Sequence, residues 1–158
     1  MKKFELTSEF VTFLGKTLFR IKALVSFGDV AEGELGGFIE RENNLDQSGN
    51  AWVSGDARVS GDARVCGNAW VSGDARVCGD ARVQNCRDYS ATSCFGSENR
   101  TTTFFRTKDG GISVRCGCFY ETLREFREKV KERHGDSRLA KEYLMLADLM
   151  EFRLSKDE

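Results

Sequence analysis

Between Ser48 and Val83 the chain repeats a six-residue phrase six times: "SGNAWV", "SGDARV", "SGDARV", "CGNAWV", "SGDARV", "CGDARV". No other feature limits the fold so tightly. Val closes every unit, at 53, 59, 65, 71, 77 and 83, and Ala stands two residues before each. Residues i and i+2 share one face of a strand, so Ala and Val define an apolar face. Gly followed by Asp or Asn tolerates tight, left-handed backbone and predicts a corner. Each unit is therefore a very short strand plus a corner. A strand this short cannot bury its apolar face by itself, so the units must stack on one another.

The exchange of Arg for Trp sets the stacking period. Trp52 and Trp70 are eighteen residues apart, as are Asn50 and Asn68. Eighteen residues make three units, so a coil of three strands returns to the same side once per turn. Trp52 then lies on Trp70, Arg58 on Arg76 and Arg64 on Arg82, in coils roughly 4.8 Å apart. A tandem duplication of eighteen residues is compatible with this reading, because only a structure of that period keeps such a duplication in phase.

The stretch resembles the hexapeptide repeat of left-handed β-helices, in which a branched apolar residue and a small residue face inward. That resemblance implies a left-handed triangular parallel β-helix. In the family pattern Gly follows the branched residue directly, whereas here Ser or Cys intervenes. A right-handed, bactofilin-like solenoid is the alternative.

The phase extends beyond the regular units. "QNCRDYSATSCFGSENRT" places Tyr89 and Phe95 at the Val position, which predicts a last coil closed by aromatics. Upstream, Ile39 and Leu45 in "FGDVAEGELGGFIERENNL" are six apart but two residues out of phase, a degenerate first coil. "FVTFLGKTLFRIKAL" alternates on either side of Gly15 and Lys16 and predicts a hairpin covering the start of the helix. "KDGG" predicts a second hairpin after the repeat. Two helices follow. The first opens on a capping box, Thr122 with Glu125, and buries Leu123, Phe126 and Val130. The second starts from Asp136 as N-cap and turns Leu139, Tyr143, Leu146, Ala147 and Met150 inward. The fold class is mainly β with C-terminal α. Its regions are an N-terminal β cap (1–29), a β-helix core (30–101) and a hairpin with two helices (102–158).

Over nearly its whole length the chain resembles a group of small GDARV-repeat proteins of gut bacteria, prophages and phages. The resemblance rests on "FGDVAEGELGGFIE", the "GDARV" units, and "GSENRTTTFFRTKDGGISVRCGCF" leading into "LREFREKVKERHGD". It implies a phage or prophage origin, with the host cytoplasm as the place of action, and it transfers no catalytic residue.

Charge narrows the function classes. Lys and Arg number 24 against 25 Asp and Glu, which argues against the basic excess that nucleic-acid coating requires. There is no run of 18 apolar residues and no leader, so the expectation is a soluble, cytoplasmic protein with six free thiols.

The outward arginines Arg58, Arg64, Arg76 and Arg82 each follow an Asp by two residues, at 56, 62, 74 and 80. They form either a self-neutralised ladder or an anion site, since guanidiniums one coil apart repel and a phosphate or carboxylate relieves that repulsion. Trp52 and Trp70, read as outward, suit a subunit interface, stacking on a ligand, or packing under the helices. Cys116 and Cys118 are spaced CxC and no His is near the other cysteines, so no metal is expected. His134, the single histidine, sits at a helix C-terminus, where the dipole favours a cation, and no loop between repeats builds an acceptor pocket. No hydrolase elbow or P-loop occurs.

The expectation is a non-enzymatic homo-oligomer, trimer or dimer, without cofactor. It would bind an anionic small molecule such as a cyclic nucleotide at Arg58, Arg64, Arg76, Arg82, Trp52 and Trp70. A phage-encoded sponge for a host signalling nucleotide, an anti-defence role, is its sharpest form. A ligand-free structural scaffold and a hexapeptide-repeat acyltransferase with His134 as base are the alternatives.

Overall fold

The computed structural model describes residues 2–95, 100–116 and 119–155, without the side chains of Cys94 and Phe95. Each repeat unit supplies one two-residue strand: β4 (Trp52–Val53), β5 (Arg58–Val59), β6 (Arg64–Val65), β7 (Trp70–Val71), β8 (Arg76–Val77) and β9 (Arg82–Val83). They pair in parallel one coil apart, with Trp52 opposite Trp70, Arg58 opposite Arg76 and Arg64 opposite Arg82. The six repeat alanines and six repeat valines are at most 1% exposed. The corner glycines 49, 55, 61, 67, 73 and 79 have φ between 61° and 74°, a left-handed geometry that a side chain resists.

The first coil carries the two extra residues the spacing implied. β3 (Leu35–Ile39) lies parallel to β5, with Ile39 opposite Val59, and Leu45 bridges to Val65. The additional residues fall between Leu45 and Val53. Gly36 and Gly37 allow this coil to approach the next one. A Cβ would lie 2.5 Å from the Val53 carbonyl oxygen at Gly36 and 2.6 Å from that of Ala57 at Gly37.

Below it, β1 (Phe4–Phe13) and β2 (Lys16–Ala23) form the expected hairpin, and β2 runs antiparallel to β3. The five-stranded sheet has the order β1-β2-β3-β5-β8. At the start of the β4 side, buried Lys3 donates its ammonium to the Ala51 carbonyl at 2.8 Å. Burial pushes Lys3 below its ordinary value, against the opposing pull of Asp46.

The upper end departs from expectation. Residues 84–95 do not form another coil. β10 (Tyr89–Phe95) enters an antiparallel sheet of order β10-β11-β12-β13, with β11 (Arg100–Arg106), β12 (Ile112–Cys116) and β13 (Phe119–Thr122). The reason is visible in "QNCRDYSATSCF": it has no glycine to make a corner, so the chain continues as an ordinary strand. Tyr89 still closes the β4–β7 side, donating its hydroxyl to the Trp70 carbonyl at 2.7 Å. The Phe95 side chain lies outside the described residues. The sheet grips the top coil where Arg76 N–H donates to Thr103 Oγ1 (2.9 Å) and Lys108 N–H donates to the Asp80 carbonyl (2.8 Å).

Alternation makes this sheet a wall between two cores. Phe105 is buried with the coil, and neighbouring Phe104 is buried with the helices. α1 (Leu123–His134) has the predicted Thr122–Glu125 capping box. α2 (Arg138–Leu154) is capped by Ser137, one residue later than expected, because its hydroxyl accepts from Ala140 N–H at 3.2 Å. The chain is thus mainly β with two C-terminal helices. Among the described residues no helix is long and apolar enough to cross a membrane.

Candidate functional site

The six residues singled out in the sequence fall on three different ladders, and the structure does not bring them into one site. Trp52 is 0% exposed. Phe27 meets its ring edge-on at 5.3 Å, and a Cβ at Gly36 would lie 2.7 Å from it. The reading of Trp52 as outward is corrected by this: it points off the coil, but the N-terminal segment is folded over it. Trp70 is half-buried beside Tyr89. With Trp52 covered, the Trp pair offers no open stacking platform next to the arginines, and only Trp70 stays partly exposed.

The two arginine ladders differ in company. On the β6–β9 side, Arg82 donates to the carbonyls of Asp62 (2.8 Å) and Ala81 (2.9 Å). Arg41 pairs with Asp62 at 3.5 Å. The shallow depression of about 210 Å³ here mixes Arg41, Arg64, Arg82 and Lys108 with Asp62 and Asp80.

The β5–β8 side collects more cations. Asp56, the acid two residues before Arg58, lies 3.8 Å from Arg20 instead. Arg20 also pairs with Glu9 at 2.8 Å and stacks over Phe38 at 4.3 Å. Among the described residues no carboxylate pairs with Arg58 or Arg76. Arg115, from β12, and Arg76 both lie against the ring of Phe13, at 5.0 and 4.8 Å. Burial holds the Arg76 guanidinium below its ordinary value, and Arg58, Arg115 and Arg100 push it the same way, against Asp74. A half-buried cation among like charges is a place where an anion is stabilised.

Two adjoining cavities share Arg58, Arg76 and Phe13. The larger, about 860 Å³, adds Arg20 and Arg100 but also Glu9, Asp56 and Asp74. The smaller, about 150 Å³, adds Lys16, Arg115 and Tyr120. Burial pushes the Tyr120 phenol and the Cys78 thiol up, Arg115 opposing it at Cys78. Sequence reasoning missed Phe13, Lys16, Arg20, Arg100 and Arg115. The hairpin signals next to Phe13 and Arg115 were readable, but nothing local says that both hairpins reach the same side of the coil.

The remaining candidates lie elsewhere. Cys66, Cys78, Cys86 and Cys116 are free thiols; Cys118 is outside the described residues. His134 stacks on Tyr143 at 5.7 Å between the helices and lines neither cavity.

Compared with known proteins, residues 51–67 and 57–73 match a family described as the YdcK Beta solenoid repeat. The match supports a β-solenoid repeat and covers only this part of the chain. The curated proteins contain no match to it.

Proposed function

We propose that the protein is a non-enzymatic binding module that holds an anionic small molecule on the Arg58–Arg76 face. The observation that carries this reading is the half-buried Arg76, which no carboxylate pairs among the described residues, beside Arg58, Arg100 and Arg115 in an open groove. Rigid stacked strands fix these cations in space, so binding costs little reorganisation. The sharpest form is a phage-encoded, cytoplasmic sponge for a host signalling nucleotide, acting as a homo-oligomer. In fold terms we propose that the three ladders are the sides of a left-handed triangular coil.

The test is isothermal titration against cyclic nucleotides and ADP-ribose variants, beside native and denaturing mass spectra of the purified protein. Heat of binding, or a retained mass of a few hundred daltons, supports the module. No heat from any anion overturns it.

A second reading, an interaction scaffold, is favoured by one feature. Met145, Leu149 and Phe152 form an exposed apolar row on α2, spaced i, i+4, i+7 as a docking face would be. A mass spectrum showing a bare oligomer would move weight to it.

A further inference from the structure

The anion-binding reading treats the groove as one surface, but Phe13 divides it, and the two sides differ in charge. Among the described residues the larger cavity has three carboxylates in its lining and the smaller has none. The smaller cavity instead gathers four cations: Lys16 from β2, Arg58 and Arg76 from the coil, and Arg115 from β12. Tyr120 of β13 and Ser60 add hydroxyls. Lys16 pairs with Glu40 at 3.7 Å, which also accepts the Gly61 N–H at 2.7 Å. At about 150 Å³ the space is enough for a compact oxyanion.

We propose that the smaller cavity is the seat of a terminal phosphoryl group, so that the ligand is a phosphomonoester or diphosphate, with its remainder crossing Phe13 into the larger groove. This rests on the anion-binding reading above and names its ligand class. The donors arrive from four separate elements and so from different directions. That arrangement suits a tetrahedral group with three free oxygens better than a planar carboxylate, which one guanidinium fork satisfies. The dianionic charge of a terminal phosphoryl group answers four cations better than the single charge of a diester does. The mixed-charge groove beyond Phe13, with Glu9, Asp56 and Asp74 among its arginines, provides acceptors as well as donors for a polar remainder. Phe13 touches both compartments: of the two guanidiniums against its ring, Arg76 belongs to the shared wall and Arg115 to the smaller cavity.

The test is calorimetric titration of the full chain with inorganic pyrophosphate, adenosine 5′-monophosphate and adenosine 3′,5′-cyclic monophosphate. The last two share base and sugar and differ in the terminal phosphoryl group. Pyrophosphate and the monophosphate should bind, with the cyclic diester at least tenfold weaker. Arg115→Gln and Lys16→Gln should each weaken the monophosphate about tenfold or more, Arg115→Lys should restore part of the loss, and Arg64→Gln should change nothing. Circular dichroism melts check that each variant folds, and Tyr120→Phe is a milder probe should Arg115→Gln not fold. Two results overturn the phosphoryl seat alone: equal binding of cyclic and open monophosphates, or binding that needs Arg58 but ignores Arg115 and Lys16. If none of the three binds, the phosphoryl seat falls, and the anion-binding reading falls with it if the cyclic nucleotides and ADP-ribose variants named above give no heat either.

Discussion

The Arg58–Arg76 and Arg64–Arg82 ladders are built from the same "GDARV" phrase and bury the same Ala and Val, yet they face different surroundings. On one, the Asp that precedes each Arg goes to Arg20 or stays out of pairing range, and further cations arrive from β2, β11 and β12. On the other, Arg82 is tied to backbone carbonyls and Arg41 takes Asp62. The repeat determines where each guanidinium stands. The flanking elements determine which partners it meets.

The inner halves of the ladders should prove equivalent. Val59→Ala and Val65→Ala should each cost about 2–3 kcal/mol of stability, the same within error in urea melts, because both side chains are fully buried. A large inequality would break the view of one uniform core. The corners should differ where flanks touch them. A Cβ at Gly79 runs into the Tyr120 side chain, while at Gly73 it meets nothing. Both positions have positive φ, so Gly73→Ala should cost about 1–2 kcal/mol and Gly79→Ala about 1–3 kcal/mol more from overpacking.

The outer halves should respond with opposite sign. Arg82→Gln removes bonds to carbonyls and should lower stability by about 1 kcal/mol. Arg76→Gln relieves repulsion among Arg58, Arg100 and Arg115. In low salt it should leave stability unchanged or raise it by about 0.5 kcal/mol, an effect that salt erases. A fall in stability for both would mean that the two ladders are alike after all.

The smallest effect is in pH. Burial holds the Cys78 thiol above its ordinary value, so the native state keeps a proton that the unfolded chain gives up first. The stability this contributes is complete below about pH 8.5, the unfolded value. It is lost as pH rises toward and through the raised native one. Cys78→Ala should flatten that part of the profile, and a thiol reagent at pH 8 should modify exposed Cys86 well before Cys78.

How much of this was legible depended on whether the signal was local. Register was legible, because Trp52 and Trp70 mark the period and stacking preserves it. The first hairpin, expected to turn at Gly15 and Lys16 and found to turn at Leu14 and Gly15, was legible from turn chemistry, as were the KDGG turn and, from capping, both helices. The end of the coil was misread. Tyr89 and Phe95 keep the spacing of Val, but no glycine between 84 and 95 supplies the corners a further coil needs. The candidate site was legible only in its repeat residues. Arg58 and Arg76 were legible as one of two stacked Arg pairs that the repeat alone does not tell apart, whereas Phe13, Lys16 and Arg115 acquire their meaning only when two distant hairpins converge. The error over Trp52 has the same origin: a residue pointing off the coil is exposed only if no flank covers it, and Phe27 and Gly36 do.

The most direct test compares Arg58→Gln/Arg76→Gln with Arg64→Gln/Arg82→Gln in calorimetric titrations with inorganic pyrophosphate. The account predicts that the first pair lowers affinity a hundredfold or more and the second by less than threefold. Equal losses in both, or a loss confined to Arg64→Gln/Arg82→Gln, would contradict it.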